Sequence, residues 1–141
     1  MKAVLDHVGI AVERLDEALA FFRDALGLQV ERPEDVITQR VRAHLLDTGA
    51  AALELLEATA VDSPIAGFLT RRGPGLHHIT LRVDDLGAAL AQLTARNVRL
   101  IDREPRPGAH GTVAFVHPRT LNGVLWELLQ AASADTHDEP A

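Results

Sequence analysis

Leu5-Asp6-His7-Val8-Gly9-Ile10-Ala11-Val12 returns 71 residues later as Leu76-His77-His78-Ile79-Thr80-Leu81-Arg82-Val83. The match runs on without a gap to Ala20 and Ala91. Seven of its sixteen positions are identical: Leu5/Leu76, His7/His78, Val12/Val83, Leu15/Leu86, Ala18/Ala89, Leu19/Leu90 and Ala20/Ala91. Val8/Ile79 and Ile10/Leu81 add aliphatic swaps. A second pair of blocks, Ala52-Leu53-Glu54-Leu55-Leu56-Glu57 and Leu125-Trp126-Glu127-Leu128-Leu129-Gln130, corresponds at an offset of 73, so a two-residue insertion reconciles the two alignments. Two copies of this length are too few for a solenoid. They are expected to pair as one domain over residues 1–141.

Each copy opens on alternation. Val4, Val8, Ile10 and Val12 include one apolar face of a strand over 4–12, with His7, Gly9 and Ala11 on the other, and Ile79, Leu81 and Val83 repeat the pattern against His78, Thr80 and Arg82. Helical spacing follows in both copies: Leu15, Ala18, Leu19, Phe22 and Leu26 with Gly27 as the stop, then Leu86, Ala89, Leu90 and Leu93 ending near Asn97. Strands are predicted at 28–32, 37–47 and 50–57, and again at 98–103, 112–117 and 123–130. Between the copies, Ser63 suits an N-cap and Pro64 the first helical position. Ile65, Phe68 and Leu69 form a stripe there, and Gly73 ends the helix. The expected class is α+β, with two pseudo-symmetric βαβββ modules in a curved, eight-stranded mixed sheet. Module one covers about 1–60, the connecting helix 62–73 and module two 74–131, and the small, polar, acidic tail 132–141 is expected to fray.

Composition narrows the function classes. Apolar residues make up 47% of the 141 and charged ones 24%, ordinary for a globular fold. Net charge is −6 and the basic residues are scattered, which argues against a nucleic-acid partner. Cysteine is absent, so disulfide frameworks, thiolate metal sites and cysteine nucleophiles are excluded. No uncharged run approaches the ~18 residues of a spanning helix and the start lacks a signal-peptide pattern, so a cytoplasmic location away from membranes is the expectation.

The repeat pairs a histidine early in each copy with a glutamate in its last strand: His7 with Glu54, His78 with Glu127. Each sits on the face opposite its apolar strand neighbours, and pseudo-twofold symmetry is expected to bring all four to one axis. Two imidazoles and two carboxylates suit a divalent first-row metal such as Co, Mn, Ni or Zn, whereas Mg and Ca prefer all-oxygen ligands. A single such histidine is ordinarily structural, and a strand glutamate can face solvent at an edge. Four residues on equivalent positions of a repeat argue otherwise, because burying two carboxylates without a cation costs several kcal/mol. His77, next to His78, is expected on the opposite face. His44, His117 and His137 read as surface or structural, and His110 sits in a glycine-rich loop that could rim a pocket.

Residues 5–12 and Leu26-Gly27-Leu28 resemble the vicinal oxygen chelate superfamily of glyoxalases, bleomycin-resistance proteins and dioxygenases. Further stretches resemble its methylmalonyl-CoA epimerase family. These are Glu54-Leu55-Leu56-Glu57, Ser63-Pro64-Ile65-Ala66 with Phe68-Leu69, and Gly75-Leu76-His77-His78-Ile79. They continue with Glu104-Pro105-Arg106, Gly108-Ala109-His110-Gly111, His117-Pro118-Arg119 and Gly123-Val124-Leu125-Trp126-Glu127-Leu128, in the family's order. The resemblance implies metal ligation by His7, Glu54, His78 and Glu127, with Glu54 at a position that holds Gln or Glu in the family. It implies an acyl-CoA substrate, epimerised at its α-carbon through a metal-stabilised enolate; inversion needs acid/base action on both faces, and Glu127 and Glu54, one from each module, are the catalytic candidates for it. Gln39 and Arg106 fall in segments like the family's pocket-lining pieces, and Arg71, Arg72, Arg106 and Arg119 are candidates for the nucleotide phosphates. A homodimer is expected, as is common in the superfamily. Many family members carry a glutamate base four residues after the position of Gln39, where this chain has Ala43. Phe22 for tyrosine and Ala58 for proline are smaller departures. Two rival readings share the fold: a glyoxalase I-like isomerase with the same ligand set, and a metal-free drug-binding protein, which would lack it.

Overall fold

The computed structural model describes residues 2–121 and 123–133. Strand β1 (Ala3–Ala11) is followed by α1 (Leu15–Leu19), which widens into a π-turn over Ala20–Ala25, then by β2 (Val30–Val36), β3 (Val41–Asp47) and β4 (Ala52–Ala58). The connecting helix is α2 (Pro64–Arg72). The pattern then repeats as β5 (Gly75–Val83), α3 (Leu86–Ala95), β6 (Arg106–Gly108), β7 (Gly111–Val116) and β8 (Leu125–Ala131). The βαβββ order is thus present twice, in an eight-stranded mixed sheet.

The described chain forms two compact units that divide within β1 and β5. In the unit Asp6–Ile79 the strand order is β2-β3-β4-β1-β5. Strand β1 runs parallel to β4, with His7 opposite Ala52 and Gly9 opposite Glu54, while β3 is antiparallel to both β2 and β4. Leu15, Leu19, Leu46 and Leu55 are buried together in one core of this unit, and Ala11, Val41, Ala43, Leu56 and Ile65 in a second. The other unit, from Thr80 onward, has the order β5-β8-β7-β6, and α3 packs Leu86, Ala89 and Leu90 on Val83, Ala114, Val116 and Leu128.

The helix starts show the repeat at atomic detail. Leu15 N–H donates to the Glu57 carboxylate at 2.7 Å in one unit, and Leu86 N–H to the Gln130 amide oxygen at 2.8 Å in the other. Both acceptors stand three residues after the paired glutamates, so the last strand of each module satisfies an orphan donor at the start of its helix. Helix α2 starts as its sequence dictates: the Ser63 hydroxyl accepts from Ile65 N–H at 3.2 Å, Pro64 opens the helix and Gly73 takes φ +75° beyond its end.

The structure departs from the predicted elements in three places. The first helix turns through a wider i→i−5 bond, Leu26 N–H to Phe21 C=O at 3.0 Å, before Gly27 ends it at φ +78°. The strand predicted over 37–47 begins only at Val41, because Ile37–Gln39 form a 3-10 turn closed by left-handed Arg40, and β2 instead runs through Pro33 to Val36. Pro33 is tolerated because β2 ends the strand order, where a missing N–H breaks no ladder. The strand predicted at 98–103 is reduced to a bridge between Leu100 and Val116. There the Asp102 carboxylate takes Phe115 N–H at 2.8 Å, so a side chain does part of a strand's work. Apart from its first two residues, the tail expected to fray lies outside the described residues, His137 with it.

Candidate metal centre

Three of the four residues singled out in the sequence converge within the unit Asp6–Ile79. His7 on β1, Glu54 on β4 and His78 on β5 each offer a ligand atom, all within 4.8 Å of one another. The parallel pairing that sets Gly9 opposite Glu54 puts Glu54 beside His7 on one sheet face. His7 Nε2 lies 3.2 Å from His78 Nε2 and 3.7 Å from Glu54 Oε1, and His78 Nε2 lies 3.4 Å from the same oxygen.

The donor set fits a cation. His7 Nδ1 is 2.8 Å from Asp6 Oδ2, and an ionised carboxylate only accepts, so the proton sits on Nδ1 and the Nε2 lone pair faces the other two donors. Lone pairs aimed at one another repel unless a positive charge stands between them. Metal–ligand bonds of about 2.0–2.2 Å imply ligand–ligand edges of about 3.0–3.5 Å, close to the separations found. Asp6 thus orients the His7 imidazole, the arrangement a carboxylate takes beside a histidine that is to hold a metal.

His78 is held equally closely. Its Nδ1 lies 2.9 Å from His77 Nδ1, and the two ring centroids are 5.2 Å apart. The expectation that His77 turns away from its neighbour is therefore corrected: both rings crowd the same end of β5. The Phe68 ring of α2 packs edge-on against His77 at 5.0 Å. Burial, helped by the adjacent His78 and only partly offset by Glu54, pushes the His77 imidazole down to about 4. Gly9 supplies the room, since a Cβ there would fall on the His78 ring, within 2.7 Å of Nε2.

Glu127 belongs to the other unit. On β8 its Oε1 accepts from the Thr80 hydroxyl at 2.9 Å, and Thr80 is fully buried. Gln39 is exposed at the end of the 3-10 turn before β3. Arg106 is exposed on β6, its guanidinium 3.3 Å from Asp102 and 5.1 Å from the centre of the Phe115 ring. Arg71 and Arg72 end α2, with Arg72 set 5.9 Å over Phe68, and His110 is exposed between β6 and β7. Ala43 is only 3% exposed among Val41, Leu56 and Ile65, so no acid/base group stands at that position.

Residues 6–115 match the Glyoxalase/Bleomycin resistance protein/Dioxygenase superfamily. The chain belongs to this superfamily. YqjC, an uncharacterized protein of Bacillus subtilis, is 43% identical over 136 residues, which cover 96% of each chain. Mitochondrial methylmalonyl-CoA epimerase of Homo sapiens is 41% identical over 129 residues, covering 90% of this chain and 73% of that protein. A solved structure of methylmalonyl-CoA epimerase in complex with methylmalonyl-CoA and NH4+ superposes with a TM-score of 0.82 at 36% identity, covering 94% of this chain and 97% of that one. The superfamily chain is thus an isomerase by its close relatives, on the glyoxalase-like vicinal oxygen chelate fold. No helix among the described residues is long and apolar enough to cross a membrane.

Proposed function

We propose that the chain interconverts the (2R) and (2S) forms of methylmalonyl-CoA by proton transfer through an enolate. The convergence of His7 Nε2, His78 Nε2 and Glu54 Oε1 carries this reading, in a chain whose relatives include epimerases of that substrate. His7, Glu54 and His78 would hold a divalent ion of the Co, Mn, Ni or Zn type, with Glu127 as the fourth ligand. A bound ion would supply Lewis-acid polarisation of the substrate's carbonyl oxygens, which lowers the cost of removing an α-proton by several kcal/mol.

The protein's own groups move the proton. Inversion requires removal on one face of the α-carbon and delivery on the other, so two carboxylates suit it better than one. Glu54 and Glu127 take these roles: one accepts the α-proton, leaving the electron pair on the enolate, and the other protonates the opposite face. Thr80 donates to Oε1 of Glu127, which orients that carboxylate. Gln39 and Arg106 bind the acyl-CoA. The buried Ala43 leaves the work to this pair.

Solvent-deuterium exchange at the α-carbon of methylmalonyl-CoA tests the assignment. Glu127→Gln is expected to abolish epimerisation, and exchange of the epimer whose α-proton faces Glu127, while the other epimer still exchanges through Glu54; near-normal exchange of both epimers in that variant would remove Glu127 from the chemistry. A wild-type protein that binds Co²⁺ yet leaves this substrate untouched in D₂O would point to a glyoxalase I-like isomerase.

A further inference from the structure

We propose that His77 is a positioning residue, which accepts a hydrogen bond from His78 Nδ1–H and thereby fixes the tautomer that turns the His78 Nε2 lone pair toward a divalent cation. The inference rests on the metal-centre reading given under Proposed function and adds to it a residue outside the four ligands.

Two ring nitrogens 2.9 Å apart share one proton: one donates and the other accepts. His78 Nε2 faces His7 Nε2 at 3.2 Å and Glu54 Oε1 at 3.4 Å. A nitrogen that ligates a cation carries no proton, so the His78 proton must sit on Nδ1. His77 Nδ1 is then the acceptor, and its own proton must sit on Nε2. The direction of this bond follows from the cation's demand alone.

Repeat symmetry supports the same role. His77 is the equivalent of Asp6, one residue before the histidine in each copy. Asp6 Oδ2 lies 2.8 Å from His7 Nδ1, as His77 Nδ1 lies 2.9 Å from His78 Nδ1. Each ligand histidine is thus oriented by the residue before it, once by a carboxylate and once by an imidazole. The His77 ring is braced by α2. It is packed edge-on by Phe68, one turn into a helix that Ser63 caps and Pro64 starts. The connecting helix between the two copies therefore acts on the metal centre through Phe68 and His77.

The test measures metal binding rather than turnover. Co²⁺ is titrated into the full chain against a chromophoric chelator, for the wild type, His77→Phe and His77→Asn. Phenylalanine keeps a ring against Phe68 but accepts no hydrogen bond, whereas the asparagine side-chain oxygen falls near the position of the lost Nδ1. The expected result is a loss of about 10–100-fold in affinity for His77→Phe, the usual cost of an outer partner, and recovery of most of it in His77→Asn. Wild-type affinity in His77→Phe, or equal losses in the two variants, would overturn the proposal. A second measurement needs no variant. Two-bond ¹⁵N–¹H spectra of the zinc-loaded wild type are expected to show His77 protonated on Nε2, and a His77 proton on Nδ1 would overturn the proposal even if the variants do not fold. A wild-type chain that binds no stoichiometric ion would bring down the metal centre itself, a result distinct from any difference between variants.

Discussion

Replacing Gly9 with alanine would set a methyl group on the imidazole of His78. The added Cβ falls within 2.7 Å of Nε2 and closer still to Cε1 and Nδ1, where ordinary contact begins near 3.4 Å. The Nε2 contact alone demands a retreat of about 0.7 Å and the closer Cε1 contact demands more, several times the ~0.2 Å to which metal–ligand distances hold. An exposed side chain could swing aside cheaply. His78 is not free to do so, being 9% exposed, held through Nδ1 by His77 and faced by His7 and Glu54. Overpacking of this kind costs about 1–3 kcal/mol, which corresponds to roughly 3–10 °C in melting temperature for a chain of this length. Metal binding should suffer more than stability. Displacing a ligand is expected to weaken the ion beyond the ~100-fold upper cost of losing an outer partner. Thermal melts of the metal-free protein and Co²⁺ titration against a chelator measure the two effects separately. A Gly9→Ala protein with wild-type melting temperature and wild-type affinity would refute the placement of His78 over Gly9, and with it the geometry of the centre.

Two further perturbations reach other parts of the fold. Ser63→Ala removes the cap of α2 and should cost about 1 kcal/mol, read as a fall of a few degrees in a melt; an unchanged melt would show that the hydroxyl does not hold that helix end. His44, whose buried Nδ1 has no partner among the described residues, is held below the usual histidine range by burial first and then by the nearby Arg42. The unfolded chain therefore takes up that proton first. The His44 contribution is intact above about pH 6.5 and is lost as pH falls toward the folded value. His44→Leu should shrink the drop in urea midpoint between pH 7 and pH 5, and an undiminished drop would place the acid sensitivity elsewhere.

The repeat was legible because both copies keep the residues that face the core and the site. Leu15/Leu86 and Ala18/Ala89 announced the helices, and His7/His78 with Glu54/Glu127 announced the donors. The donors could be found because alternation in a strand fixes the side a residue faces, and three of them do converge. Other features depend on shape that periodicity does not encode. Ile37-Thr38-Gln39 carry strand-like Ile and Thr, yet the left-handed turn at Arg40 decides that segment. The segment 98–103 alternates like a strand, but Asp102 gives its carboxylate to Phe115 N–H and only one bridge forms. The same alternation predicts His77 on the far face. Its ring instead meets that of His78 and is packed edge-on by Phe68, a residue of the inserted helix whose position the alternation does not encode. A signal for it was present: His77 and Asp6 are repeat-equivalent, and both types can orient an imidazole. Gly9 against Thr80 is a similar case, since one copy needs empty space for His78 and the other a hydroxyl for Glu127.

The most direct test is α-proton exchange of methylmalonyl-CoA in D₂O by chelator-stripped protein titrated with Co²⁺. Exchange should be nearly absent at the start, rise with added ion and level off at one ion per chain. No exchange at any metal level, or full exchange in the stripped protein, would contradict a metal-dependent epimerase.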